Sequence, residues 1–235
     1  MKLKTKRKNP FAVFGDLTVF ERILWISSLA LVLVSSLMSP SPSILSLIAS
    51  LIGATALIFV AKGYVLGQIL TVVFAVFYGI ISFHFRYYGE VITYLCMTSP
   101  IAVLAVIEWL RHPYKESAEV EVRRMQKGQV AIMLVLTAAV TFVFYFLLKA
   151  LGNASLVVST VSVTTSFLAS YLTFMRSPWY ALAYAANDLV LICLWVTASF
   201  SDPSYISMIV CFVAFLANDL YGFYNWRKMM KRQRS

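Results

Sequence analysis

The sequence predicts an all-α integral membrane protein with eight membrane-spanning helices. Hydrophobic residues make up 60% of the 235 residues and charged residues only 13%, whereas about a quarter of the residues in a soluble domain are charged. The apolar residues also fall into long runs, and a helix needs about 20 of them to cross the hydrocarbon core of a bilayer. A soluble globular enzyme is therefore excluded.

Eight apolar runs, each bounded by charge, Pro or Gly, are predicted to be the spans. They lie at residues 23–38, 44–61, 64–83, 91–110, 130–150, 156–175, 179–199 and 205–226. The first run is short for a crossing, so a helix that lies in the membrane interface is an alternative for it.

The positions of the basic residues support an even number of crossings. With eight spans, all of the 20 Lys and Arg residues except Arg86 and Lys149 fall on the side that carries both chain termini. Lys and Arg collect in cytoplasmic loops, so both termini are predicted to be cytoplasmic. The same rule accounts for the net charge of +10 without a nucleic-acid partner.

The last seven spans are predicted to form a 3+1+3 core made of two parallel repeats, to which the first span is an addition. Each triplet has a short basic turn, at Ala61–Tyr64 and Met175–Trp179, and each ends in Trp followed by a basic residue, at Trp109 and Trp226. A single extra span between two triplets lets both enter the membrane in the same direction.

This organisation gives five predicted regions. They are a basic tail with the extra helix at 1–43, the first repeat at 44–110, a cytoplasmic loop and linker helix at 111–155, the second repeat at 156–226 and a basic tail at 227–235. The loop after Arg111 carries mixed charge and is predicted to be a solvated helix or linker.

Polar residues within the predicted spans mark the candidate substrate path. Ionisable groups at membrane depth usually face a bundle interior or a water-filled cavity, and helical spacing groups them with nearby amides, hydroxyls and aromatic rings. The candidate contacts are Asn187, Asp188, Asn218 and Tyr221, with Tyr184 for ring stacking, Thr165 and Ser166 lining the path, and Asp219 and Asn225 as second choices. Interhelical packing and hydrogen bonding are the alternative roles for these groups.

Motifs that the chain lacks narrow the chemistry. No G-x-x-x-x-G-K-[ST] phosphate cradle occurs and the histidines have no ligand spacing, so no ATP site, metal site, cofactor or catalytic residue is predicted. The absence of Lys and Arg from the span interiors favours a neutral or cationic solute over a phosphorylated one. Four tryptophans near span ends are predicted to be interface anchors: Trp25, Trp109, Trp179 and Trp226.

These residues resemble the bacterial nicotinamide riboside transporters of the PnuC family. The resemblance runs from about Ile44 to Trp226 and rests on Ala61–Tyr64, Arg86–Glu90, Glu108-Trp109, Ser166–Ala169, Asn187-Asp188 and the stretch from Asn218 to Trp226. It implies a 3+1+3 fold similar to that of the SWEET sugar transporters, with substrate bound between the triplets. It also implies facilitated diffusion across the bacterial cytoplasmic (inner) membrane, with trapping of the riboside by a cytoplasmic kinase.

One departure from the family affects the identity of the vitamin. Many members carry Trp-x-x-Trp before the aspartate of the sixth core span, whereas this chain has Ala181 and Tyr184 at those places. Another vitamin such as thiamine or riboflavin, carried with or without proton coupling at Asp188 or Asp219, therefore stays an alternative. A membrane sensor or scaffold is the alternative of another class, and a homo-oligomer is left open.

Overall fold

The computed structural model describes residues 13–38, 44–84, 91–153, 155–201 and 206–235, apart from the side chains of residues 81, 82 and 84. The N-terminal basic segment and the Arg86–Glu90 motif of the sequence analysis lie outside these residues. Within them the chain forms eight α-helices, namely α1 (Val19–Leu37), α2 (Ile44–Ala61), α3 (Val65–His84), α4 (Ser99–Arg111), α5 (Lys127–Ala150), α6 (Leu156–Phe174), α7 (Tyr180–Ser199) and α8 (Ile206–Arg234). A π-helical segment, Thr93–Thr98, leads directly into α4.

The helices have the lengths and compositions of membrane spans. Seven of them, counting Thr93–Arg111 as one, are long and apolar enough to cross a bilayer, and α3 contributes a shorter apolar stretch, Val65–Ile80. The prediction of an all-helical, multi-pass membrane protein is confirmed.

Helix α1 begins four residues earlier than predicted. The Thr18 hydroxyl accepts a hydrogen bond from the Glu21 backbone N–H (3.3 Å), and the Glu21 carboxylate accepts one from the Thr18 N–H (2.6 Å). This capping box satisfies amide donors that a helix start leaves free, so the first turn includes the charged residues that the hydropathy pattern placed outside. The resulting 19-residue helix is long enough to span the bilayer.

The six helices of the two predicted triplets pack side by side as a ring. Each helix contacts the next one in the order α2, α3, α4, α6, α7 and α8, and α8 contacts α2. Helix α1 packs outside the ring against α2 and α8, and α5 packs against α6. An apolar cluster that contains Leu148 of α5 and Met97 and Ile101 of the fourth span also joins α5 to that span.

The two basic turns have the same backbone geometry. The N–H of Gly63 donates to the carbonyl of Val60 (2.8 Å), and the N–H of Arg176 donates to the carbonyl of Thr173 (3.0 Å). Gly63 and Arg176 both have left-handed backbones, with φ of 70° and 56°. Left-handed residues commonly end helices, where glycine adopts the conformation most easily. The turn after α6 therefore places an arginine where the turn after α2 has glycine.

Residues 112–126 contain no helix: they turn at residues 114–118 and are otherwise extended, so of the predicted solvated helix or linker the helix is wrong. Val120 is buried, and its N–H donates to the carbonyl of Gly63 (2.9 Å). The N–H of Arg123 donates to the carbonyl of Arg176 (2.9 Å). The segment is held extended because its backbone hydrogen-bonds to both turns, and we call it the strap.

Helix α8 continues to Arg234, so the basic tail predicted at 227–235 is helical as far as Arg234 and continuous with the last span. Gln233 explains the extension, since its side chain accepts a hydrogen bond from the Val122 N–H (2.7 Å) and donates one to the Val120 carbonyl (3.1 Å). Arg232 also pairs with Glu119. The last two turns of α8 are thus tied to the strap.

Candidate substrate-binding site

Asn187 of α7 is the centre of a polar cluster between α6 and α7. Its Oδ1 accepts hydrogen bonds from Thr165 (2.8 Å), Ser166 (3.1 Å) and Ser162 (3.2 Å). The three hydroxyls lie on one face of α6 because residues three and four apart share a helix face. The structure therefore brings together three of the predicted site residues, and it adds Ser162.

Asp188 and Asp219 extend this cluster across α7 and α8. Both side chains are buried, and their carboxyl groups lie close enough to interact with each other. The Oδ2 atom of Asp188 receives no hydrogen bond from a donor group of the described residues. A buried carboxylate oxygen without a donor is costly, and a ligand with hydroxyl or amide N–H groups would satisfy it. We call Ser162, Thr165, Ser166, Asn187, Asp188 and Asp219 together the polar cluster.

Aromatic side chains lie beside the polar cluster on α7. The Tyr184 hydroxyl is 3.2 Å from the hydroxyl of Ser170, and the Tyr184 ring lies at right angles to that of Tyr180, with centroids 6.2 Å apart. Tyr180 in turn meets Trp226 edge to face at 4.9 Å. The cluster therefore has an aromatic border that could contact a flat ring.

Trp109, near the end of α4, and Trp226, about two turns before the end of α8, form a pair. Their ring centroids are 5.4 Å apart, and each is at most 1% exposed. The indole N–H of Trp109 donates to the carbonyl of Thr173 (3.0 Å), and that of Trp226 donates to the carbonyl of Val60 (2.9 Å). Their predicted role as interface anchors is wrong, because both indoles bond to the ends of ring helices. Trp179 is 52% exposed, as an anchor would be.

Three predicted site residues of α8 lie apart from the polar cluster. Asn218 donates to Ser28 of α1 (2.8 Å) and Tyr221 donates to Glu21 of α1 (2.7 Å). Asn225 donates to the backbone carbonyl of Ala61 at the end of α2 (2.9 Å). These side chains therefore hold α8 against α1 and α2, although the buried Oδ1 of Asn218 has no hydrogen-bond donor among the described residues.

A cleft of about 620 Å³ opens at the end of the bundle where α1 begins and α8 ends. Tyr221 and Asn225 line it together with the charged residues Glu21, Lys62 and Lys228. The other lining residues are Thr18, Phe20, Glu119, Ala217, Tyr224, Met229 and Arg232. Two of the predicted site residues, Tyr221 and Asn225, thus line this cleft, whereas Asn218 belongs neither to the cleft nor to the polar cluster.

Several polar residues that organise these regions were missed at the sequence level. Lys62 is buried and contacts Glu21 (2.8 Å), which joins α2 to α1. Arg176 is buried beside Glu108 (3.3 Å), and its loss of solvation lowers the pKa of the guanidinium while the nearby carboxylates raise it. Lys62 and Arg176 could be identified as loop charges, but the sequence has no signal that pairs them with carboxylates on other helices.

Comparison with known proteins shows which family this architecture represents. A family sequence model described as "Nicotinamide mononucleotide transporter" matches residues 43–228. The chain belongs to this family. The matched residues contain the six ring helices, the strap, α5 and the whole polar cluster. The chain is therefore a member of a transporter family.

Individual relatives agree with the family assignment. The transporter is 25% identical to "Nicotinamide riboside transporter PnuC" of Neisseria mucosa, over 94% of this chain and 85% of the relative. It is 23% identical to the protein of the same name in Haemophilus influenzae, over 89% of this chain and 91% of the relative. It also resembles a solved structure, "Crystal structure of the Vitamin B3 transporter PnuC", with a TM-score of 0.80 and 25% identity over 94% of this chain and 96% of that chain.

Proposed function

We propose that this transporter takes up nicotinamide riboside across the bacterial inner membrane by facilitated diffusion. The observation that carries the proposal is the polar cluster, in which Asn187, Asp188 and Asp219 are buried halfway along two ring helices. Carboxylates accept hydrogen bonds from sugar hydroxyls, and aromatic faces attract a cationic ring. Nicotinamide riboside offers both groups.

The charge of the cluster favours the riboside over its phosphorylated form. The family description names a mononucleotide, whereas the curated relatives are named for the riboside. A phosphate group is normally bound by Arg, Lys or backbone N–H donors. Helices α6 and α7 contain no Lys or Arg, and the first basic residue of α8 is Arg227. The carboxyl groups of the cluster would repel a phosphate.

Within the cluster we assign separate roles to three side chains. Asp188, whose Oδ2 has no donor among the described residues, accepts from the ribose hydroxyls. Asn187 is held by three hydroxyls of α6 and offers its amide to the solute. Tyr184 borders the cluster and stacks on the pyridinium ring. Asn218, Tyr221 and Asn225 position α8 against α1 and α2.

The helix contacts support two parallel repeats, α2–α4 and α6–α8, related by a twofold axis along the membrane normal. Trp109 bonds to the carbonyl three residues before Arg176, and Trp226 bonds to the carbonyl three residues before Gly63. The strap bonds to both turns in the same way. Because α1 precedes the first triplet as α5 precedes the second, the extra helix makes each repeat a group of four.

Rocking of one repeat against the other around the polar cluster would expose the cluster to each side in turn. The strap and the tryptophan pair join the two repeats at the end where the chain terminates, so we assign the described conformation as closed there. We place both termini in the cytoplasm, where phosphorylation by a riboside kinase would trap the product. The transporter then needs no ion gradient or ATP.

Isothermal titration of the purified protein with nicotinamide riboside, nicotinamide mononucleotide, thiamine and riboflavin tests the substrate. Saturable binding of the riboside alone is expected. Asp188→Asn should weaken it at least tenfold, since a charge-assisted hydrogen bond contributes about 1.5–3 kcal/mol. Ser199→Ala at the exposed end of α7 is the matched control. Binding of the mononucleotide as tightly as the riboside would contradict the charge argument.

Proton-coupled transport is a second candidate because the buried Asp188 and Asp219 carboxyl groups lie close together. Two buried like charges at close range repel each other, so a proton on one carboxyl group would relieve the repulsion, and that proton could move with the solute. Riboside uptake into proteoliposomes that accelerates with an imposed pH gradient would favour coupling, and indifference to the gradient would favour facilitated diffusion. Exchange of labelled riboside separates either transporter from a sensor, which binds without moving its ligand.

A further inference from the structure

The cleft between α1 and α8 is separate from the polar cluster and has its own chemistry. It lies at the end of the bundle where α1 begins, and α8 supplies one continuous face to it, comprising Ala217, Tyr221, Tyr224, Asn225, Lys228 and Arg232. A helix of 29 residues is about 43 Å long at 1.5 Å per residue, longer than the hydrocarbon core of about 30 Å. The last turns of α8 therefore lie at the level of the lipid headgroups or beyond it.

Among the described residues, the charges that line the cleft leave one cation without a carboxylate partner. Glu21 contacts Lys62 at 2.8 Å, and Glu119 pairs with Arg232. No carboxylate of the described residues lies within 4.0 Å of the Lys228 ammonium. Once the two pairs are neutral, the cleft holds a positive charge at Lys228, with the donors of Arg232 beside it on the same helix face.

The rim of the cleft toward the middle of the membrane is apolar and exposed. Phe20 of α1 is 59% exposed and Tyr224 of α8 is 64% exposed, and both line the cleft. Val19 and Leu220 continue this apolar surface along the two helices. A ligand that fills the cleft would thus meet a cation at one end and hydrocarbon-facing side chains at the other.

From this arrangement we propose that the cleft binds an anionic phospholipid of the leaflet on the side of the chain termini. Its phosphate group contacts Lys228 and Arg232, and its glycerol and upper acyl chain lie against Phe20 and Tyr224. Basic pockets between membrane helices are suited to anionic headgroups, and aromatic residues are suited to the interfacial region. A bound lipid would join α1 to the end of α8.

Native mass spectrometry of the full chain tests this directly. The purified protein is incubated with an equal mixture of phosphatidylglycerol and phosphatidylethanolamine, and the ratio of the two bound lipids is measured. Phosphatidylglycerol should be preferred by the unmodified protein. Lys228→Gln should lower that preference about fivefold, since one lysine near anionic lipid contributes about 1 kcal/mol. Lys231→Gln removes the same charge from an exposed residue outside the cleft and should leave the preference unchanged.

Three results would overturn the proposal. They are equal retention of the two lipids by the unmodified protein, the same loss of preference in Lys228→Gln and Lys231→Gln, and displacement of phosphatidylglycerol by millimolar inorganic phosphate, which would assign the site to a soluble phosphate. Riboside affinity is measured in parallel and should not change in Lys228→Gln. The lipid result therefore stands or fails independently of the proposed transport substrate.

Discussion

Asn187 shows how much a single predicted site residue depends on its neighbours. Its amide oxygen accepts from Thr165, Ser166 and Ser162, so these hydroxyls fix the orientation of the amide that we propose contacts the solute. Positions on α6 that line up at helical spacing could be predicted, and they do contact α7. The sequence alone could not decide whether they contact a neighbouring helix or a ligand, because the same hydroxyls serve both purposes in membrane helices.

We predict that loss of these hydroxyls weakens riboside binding without unfolding the protein. Thr165→Val combined with Ser166→Ala removes two of the three bonds to Asn187. At about 1 kcal/mol for each neutral hydrogen bond, affinity measured by titration calorimetry should fall about tenfold or more. Thr160→Val on the same helix removes a hydroxyl whose one hydrogen bond among the described residues is to the Leu156 carbonyl, and the affinity of this variant should match that of the unmodified protein. Equal losses of riboside affinity in both variants would contradict a role for Asn187 in binding.

The side chains of α8 mark where prediction at the residue scale fails. Asn218 and Tyr221 lie on one face of α8, as their spacing predicts. That face contacts α1, where Asn218 donates to Ser28 and Tyr221 donates to Glu21. Periodicity defines which residues share a face and not what the face contacts. The first helix was the least certain span, so its carboxylate could not be expected beside Tyr221.

At the scale of elements, α1 is joined to the ring through a buried ion pair. Glu21 contacts Lys62 at 2.8 Å, accepts from Tyr221 and lies beside the Thr18 cap. Removing one partner of a buried pair leaves the other charge uncompensated, which typically costs about 3–5 kcal/mol.

We predict that Lys62→Met lowers the thermal midpoint in detergent clearly more than the double variant Glu21→Gln, Lys62→Met does. The double variant leaves no unpaired charge, so most of the loss should be recovered. Thermal unfolding followed by intrinsic fluorescence measures both variants. Glu21→Gln alone is measured in the same way. If its loss of stability added in full to that of Lys62→Met in the double variant, the two side chains would be energetically independent.

Helices α2 and α3 approach closely because of a glycine. A Cβ atom at Gly67 would lie 2.4 Å from the backbone nitrogen of Val60, which cannot move aside as a flexible side chain could. Gly67→Ala should therefore separate the two helix ends and lower stability by about 1–3 kcal/mol. Gly128→Ala is the matched control, since nothing lies within 4 Å of a Cβ there, and alanine favours a helix. Similar thermal midpoints for the two variants would show that α2 and α3 can separate there without a loss of stability.

Element boundaries could be predicted where hydropathy alone sets them and not where side chains hold the backbone. The cores of all eight helices follow the apolar runs. The strap was predicted to be a solvated helix or linker because it carries mixed charge, yet Val120 is buried and bonded to the Gly63 carbonyl. Such long-range backbone pairing leaves no periodic signal in a single segment. The extension of α8 also depends on a long-range contact, since the Gln233 side chain accepts a hydrogen bond from the Val122 N–H.

At the scale of the whole molecule, the proposed twofold relation makes the tryptophan pair a contact between repeats. Trp109 and Trp226 touch each other, and each indole bonds to the first helix of the other triplet. The matching Trp endings could be found in the sequence, but the belt pattern assigned them to the membrane interface. Only the packing of the triplets places both indoles in the interior, where they join the two repeats on the side of the chain termini.

We predict that Trp109→Phe and Trp226→Phe open this end of the bundle to equal extents. Each removes one indole hydrogen bond of about 1 kcal/mol, which should raise the open fraction about fivefold. A single cysteine at Ser170, which contacts Tyr184 beside the cluster, reports opening in a background without Cys96, Cys193 and Cys211. Its reaction with a membrane-impermeant thiol reagent, applied from the side of the termini, should accelerate about fivefold in either variant.

Exposed Trp179→Phe controls for loss of an indole near the same end of the bundle and should leave the reaction rate unchanged. Trp109→Phe and Trp226→Phe should have effects of equal size, because a twofold relation requires the bonds to Thr173 and Val60 to make equivalent contributions. A large effect from one variant and none from the other would show that the repeats do not move symmetrically about the pair. Acceleration by Trp179→Phe as well would mean that the reagent reaches Ser170→Cys by general loosening of the bundle.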